Sequence, residues 1–171
     1  MSPRANPRDR PVPPRADPDH PLDALPPGAV SSSPFLPLAA LETAQPLLSS
    51  KEAQQLSPIV LAYVGDAVYE LYVRLHYLLP PQRIDLYHRQ VVGQVRAEQQ
   101  CGYLQRLQDQ LTEVERSIVR RGRNAATSHP KRVSLATYQQ ATGLEALVGY
   151  LYLTDPERLK ALWPYLRLGS P

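Results

Sequence analysis

Apolar positions recur at helical spacing from residue 51 onward, and no stretch alternates with the period of two that a half-buried strand requires. Ser57 followed by Pro58 is an N-cap with proline at the first helical position. It predicts a helix from Ile59 to Leu79, stopped by Pro80-Pro81. A second helical stretch is expected from about Asp85 to Leu107, broken near Gly93. Thr112-x-x-Glu115 has the form of a capping box and opens a third stretch, to about Arg121. Residues 122–134 (GRNAATSHPKRVS) read as a loop by composition. Helix returns over about 135–153, and Asp155-Pro156 starts a last helix with Trp163 and Pro164 near its end. The fold class is all-α.

Composition divides the chain. Of 19 prolines, 12 lie in residues 1–50, where four arginines face five acids. Such a segment cannot bury enough apolar surface to offset its ordering entropy, so 1–50 is expected to be a disordered extension. Its more apolar piece, 34–48, is a candidate to dock on the domain. Residues 51–171 then form the one folded domain, with 15 basic and 11 acidic residues. The net charge of +3 for the whole chain is too small to identify a nucleic-acid binder. A single cysteine, Cys101, excludes an internal disulfide framework and a cysteine-based zinc site, and reads as a small buried hydrophobe. No apolar run reaches the roughly 20 residues of a membrane span. No secretory signal is visible, and Asp9, Asp17, Asp19 and Asp23 argue against a transit peptide. A cytoplasmic protein is expected. The four histidines, His20, His76, His88 and His129, lack the spacing of a ligand set.

Two carboxylates stand out by isolation. Asp66 is the only charged residue between Pro58 and Tyr69, and Glu145 the only one in 133–154. Each sits mid-helix among residues that read as buried. A buried, unpaired carboxylate must be compensated, by a lysine or arginine or by a divalent cation, or else be neutralised. Gly65 beside Asp66, and Gly143 and Gly149 around Glu145, mark places where another backbone approaches closely, since glycine otherwise weakens a helix. The two helices are therefore expected to cross and bring both carboxylates within reach of one ion. Glu70 shares a helix face with Asp66, but Arg74 one turn later offers it an ordinary ion pair.

Ala62-Tyr63-Val64-Gly65-Asp66-Ala67-Val68 resembles a signature segment of the ribonuclease III catalytic domain. Arg121-Gly122-Arg123-Asn124-Ala125, followed by Thr142-Gly143-Leu144-Glu145-Ala146-Leu147-Val148-Gly149-Tyr150-Leu151, is similar to the short branch of that family, Mini-ribonuclease III. That branch lacks the double-stranded-RNA-binding domain. The resemblance covers about residues 54–168. It implies a ribonuclease III-like helical bundle that hydrolyses phosphodiesters in double-stranded RNA, in the branch associated with maturation of 23S (large-subunit) ribosomal RNA. It implies Asp66 and Glu145 as catalytic residues and as ligands of Mg²⁺, with Mn²⁺ as a substitute. The parent family uses four carboxylates; Ala62 and Thr142 stand at the other two positions, as in the short branch. Many members carry a lysine where this chain has Ala126.

The resemblance also gives meaning to a basic stretch. Residues 116–132 contain six basic residues and no acid. Read by composition alone, this is either a solvated loop or a phosphate-binding surface. The family implies RNA contact by Arg120, Arg121, Arg123, Asn124, Lys131 and Arg132. It further implies a homodimer, with Tyr63 at the position of an aromatic contact to the partner subunit. The alternatives are a non-catalytic RNA-binding or ribosome-assembly factor on the same scaffold, and an unrelated helical interaction domain whose two carboxylates sit in ordinary ion pairs.

Overall fold

A computed structural model describes residues 46–127 and 130–169 of the chain. Residues 1–45 of the expected extension, most of the piece 34–48, and His20 and His129 lie outside the described residues.

The described elements are α1 (Ser50–Gln55), α2 (Pro58–His76), α3 (Ile84–Val95), α4 (Ala97–Leu107), α5 (Glu113–Ala125), α6 (Leu135–Thr154) and α7 (Pro156–Leu162). Short 3₁₀ turns follow α4 and α7, and no strand occurs among the described residues. The all-α class expected from the spacing is what forms.

The organising element is α6. It is apolar all round, as a helix must be to run through the centre of a domain, and Ala141 to Leu144 and Ala146 to Leu151 are buried. Ser134 caps its start by accepting from the Thr137 N–H. Around it pack α2, α4 and α5. The α2 contact is backbone against backbone. A Cβ placed on Gly65 would lie 1.8 Å from the Glu145 carbonyl oxygen, and one on Gly149 would lie 2.0 Å from that of Leu61. The helices carrying Asp66 and Glu145 thus cross at a point where only hydrogen fits. At the far end, Trp163 stacks on Tyr72 with ring centres 4.0 Å apart. Leu48, the last residue of the 34–48 piece, is pinned by its N–H to the Leu153 carbonyl.

Several boundaries differ from the expectation, each for an identifiable reason. Helix α2 stops at His76, short of the prolines. The Tyr77 carbonyl is taken by the Gln82 side-chain amide at 2.9 Å, which closes the turn early. The break in the second stretch falls at Arg96, in extended conformation, rather than at Gly93. Gly93 faces open space, whereas the last turn of α3 is held from outside. There Tyr69 donates to the Gln94 carbonyl and Tyr103 to the Gln94 side chain. Helix α5 continues through Gly122-Arg123-Asn124-Ala125, which composition assigned to the loop. Gly122 is there for packing, since a Cβ on it would meet Ala146 Cβ at 2.7 Å. Helix α1 is a separate element with its own capping box, Ser49 and Glu52.

Candidate active site

Asp66 on α2 and Glu145 on α6 line one cleft of about 560 Å³, together with Ile59, Ala62, Tyr63, Ala125, Thr127, Tyr138 and Thr142. The crossing at Gly65 and Gly149 is what brings the two carboxylates to the same space. Ala62 and Thr142, at the positions of the parent family's other carboxylates, lie in the same wall. Thr142 spends its hydroxyl proton on the Tyr138 carbonyl of its own helix, at 3.1 Å.

Neither Asp66 nor Glu145 forms an ion pair among the described residues. The contrast within the molecule is informative. The one fully buried acid among the described residues, Glu115, is gripped by Arg158 at 2.8 Å and by the N-terminus of α5, and its carboxyl is held below the usual range. The cleft pair goes the other way. Burial first, and the neighbouring Asp66 charge second, push Glu145 up to about 7. Burial, then the charge of Glu70, raises Asp66. The ordinary ion-pair alternative for these two residues is therefore not what forms. The expected burial holds in part, since Glu145 is half-buried while Asp66 is exposed. Two neighbouring carboxylates that repel each other, with no cation of their own among the described residues, suit a hard divalent metal that prefers oxygen ligands and retains water. No group of three histidine, cysteine or acidic side chains gathers among the described residues, so Asp66 and Glu145 would carry the protein's share. Glu70 stays outside the cleft, paired to Arg74 at 2.5 Å. His76 meets the Gly169 carbonyl and takes no part in the site.

The raised carboxylates set a pH dependence. A group whose folded pKa exceeds its unfolded value of 4.5 stabilises fully below that value and ceases to do so as pH rises through about 7. In metal-free protein, Glu145→Gln is expected to match the parent near pH 4.5 and to exceed it by roughly 1–3 kcal/mol at pH 8. Thermal melts in EDTA at the two pH values measure this; an equal gain at both would show that Glu145 carries no buried charge.

One residue of the site escaped sequence reasoning. Gln100 on α4 is 2% exposed, and its side-chain amide acts on the Glu145 carboxyl from behind the cleft, opposing the rise that burial causes. Its helical spacing to Tyr103, Leu104 and Leu107, all buried, was the available signal.

The basic residues divide. Arg120, Arg123 and Asn124 on the last turns of α5, and Lys131 and Arg132 in the following turn, are exposed. Arg121 is half-buried and donates to the Leu56 carbonyl at 3.0 Å, tying α5 to the start of α2. Ala125 and Thr127 form part of the cleft wall, so the basic end of α5 borders the carboxylates. Ala126 is buried, and its carbonyl accepts from Gln139 on α6, which fixes the loop at its root. Tyr63 stands at the cleft with 82% of its surface exposed, beside half-exposed Ile59 and Val60.

The ribonuclease III domain family matches residues 59–156, the span that holds the crossing, the cleft and the basic helix end. The chain belongs to that family, which acts on double-stranded RNA with a divalent metal ion. Within it, the chain is 60% identical over 114 residues to the Mini-ribonuclease 3 of Thermosynechococcus vestitus, covering 67% of this chain and 76% of that protein. It is 58% identical over 115 residues to the Mini-ribonuclease 3 of a Synechocystis species, covering 67% and 80%. A crystal structure of a Fusobacterium nucleatum protein superposes with a TM-score of 0.62 at 29% identity, covering 67% of this chain and 95% of that one. The chain is a member of the Mini-ribonuclease 3 branch and an endoribonuclease by class.

Proposed function

We propose that the protein cleaves double-stranded RNA in the cytoplasm with Mg²⁺ held by Asp66 and Glu145, acting on base-paired precursor of the large-subunit (23S) ribosomal RNA. The observation that carries this reading is the pair of neighbouring carboxylates at the Gly65–Gly149 crossing that have no ion-pair partner among the described residues. When bound, the cation supplies a Lewis acid that makes water nucleophilic near neutral pH and offsets charge on the phosphoryl oxygens. The chain's residues do the rest. Asp66 and Glu145 supply negative charge at fixed positions. The half-buried setting of Glu145 lowers the local dielectric and strengthens its attraction for a cation, while Asp66 stays open to solvent and substrate.

Duplex RNA presents its backbone and 2′-hydroxyls rather than base edges, so recognition falls to exposed cations. Arg120, Arg123, Asn124, Lys131 and Arg132 serve that purpose beside the cleft. Arg121 supports the surface from beneath through its bond to Leu56. No helix among the described residues is long and apolar enough to cross a membrane.

A homodimer completes the reading. Tyr63, Ile59 and Val60 give α2 an apolar edge at the cleft that water does not favour, and a second copy of the chain covers it. Tyr63→Arg is expected to convert dimer to monomer in light scattering at micromolar concentration and to lower cleavage at least tenfold. A dimer of unchanged stability would remove Tyr63 from the interface.

The test of the whole reading is incubation of purified protein and Mg²⁺ with the paired stem that closes large-subunit precursor RNA, and with each of its strands alone. Discrete cuts in the stem only are expected. Binding of the stem without cuts would favour a non-catalytic assembly factor.

A further inference from the structure

We infer that Gln100 is a positioning residue, holding the Glu145 carboxylate in the orientation that receives the metal. The inference rests on the active-site reading above and extends it to a residue behind the cleft. Gln100 comes from α4, a helix that contributes nothing to the cleft lining. It is 2% exposed and reaches Glu145 through the core. Its Oε1 is fully enclosed and meets no hydrogen-bond donor.

That orphaned oxygen is the telling feature. An apolar side chain of the same size would fill this space without leaving a buried acceptor unpaired, and packing alone would favour it. What an apolar residue cannot do is donate to a carboxylate. The amide N–H is therefore the property that the position provides. No basic side chain among the described residues pairs with Glu145, and the groups around it are acidic or phenolic: Asp66 across the crossing and Tyr69 on α2. Gln100 is neutral, so it orients the carboxylate without cancelling the charge that a cation needs. With Ala62 and Thr142 in place of two further carboxylates, fewer ligands share the work of fixing the ion, and the orientation of each matters more. Groups that orient metal ligands in this way typically account for about 10–100-fold in metal affinity or activity.

Gln100→Met and Gln100→Leu, made in the full chain, test this. Both are expected to melt in EDTA within a few degrees of the parent. Mn²⁺ affinity, read by electron paramagnetic resonance, should weaken about 10–100-fold. Saturated turnover on duplex RNA should fall in proportion, with KM for RNA unchanged. Parent-like Mn²⁺ affinity in a folded variant would overturn the inference, as would a rise in KM with turnover intact. Failure of both variants to fold would make Gln100 a packing residue and overturn it too. A parent protein that neither binds Mn²⁺ nor cuts RNA would instead defeat the active-site reading itself.

Discussion

Asp66→Asn and Glu145→Gln are each expected to abolish cleavage of duplex RNA, with turnover lowered about a thousandfold or more, roughly 4 kcal/mol of transition-state stabilisation. Both substitutions keep the size of the side chain and remove only its charge. Because the cleft carboxylates have no cation of their own among the described residues, neither variant strands a buried lysine or arginine. The folded state should survive, and RNA binding through the basic end of α5 should persist. Gel-shift binding at parent strength combined with absent cleavage is the expected signature. Retained turnover in either variant would show that the carboxylate removed is dispensable. Glu70→Gln is the matched comparison: it breaks an exposed pair with Arg74 and should leave turnover near the parent value.

The second large effect concerns stability. Gly65→Ala is expected to destabilise the fold by about 3 kcal/mol or more, at the upper end for overpacking. Helix propensity alone predicts the opposite sign, since alanine is favoured over glycine by roughly 1 kcal/mol inside a helix. Geometry decides between them. The added Cβ would sit 1.8 Å from the Glu145 carbonyl oxygen and 2.6 Å from the Gly149 nitrogen. Both are backbone atoms of the central helix and cannot rotate away. The helices must part, and Asp66 and Glu145 move apart with them, so activity should fall even where folded protein remains. Gly93→Ala and Gly102→Ala meet nothing within 4 Å and should stabilise slightly. Chemical denaturation of the three variants reads the contrast; a Gly65→Ala protein as stable as Gly93→Ala would refute the tight crossing.

The site was largely legible in the sequence because its physics is local in two places. An acid alone in an apolar helix announces itself at Asp66 and again at Glu145, and the glycines beside them indicate close approach. Asking which helix each glycine admits is harder. Gly149 does receive α2, but Gly143 packs on Val119 and Arg123 of α5, with Gly122 as its counterpart. That pairing depends on tertiary contact, so composition places Gly122 with the loop and ends α5 too soon. Gln100 was hidden for another reason. It follows Glu98 and Gln99 in a polar run, and only its register with Tyr103, Leu104 and Leu107 distinguishes it from a surface glutamine. Tyr63 shows the reverse case, an aromatic among apolar neighbours that turns outward to solvent.

Anomalous diffraction from crystals of the protein soaked in MnCl₂ bears most directly on how the cleft works. One peak is expected between Asp66 and Glu145, with carboxylate oxygens of both residues in its coordination sphere or joined to it through water. A cleft without a peak at saturating Mn²⁺, or a peak held by Glu70 instead, would contradict the account.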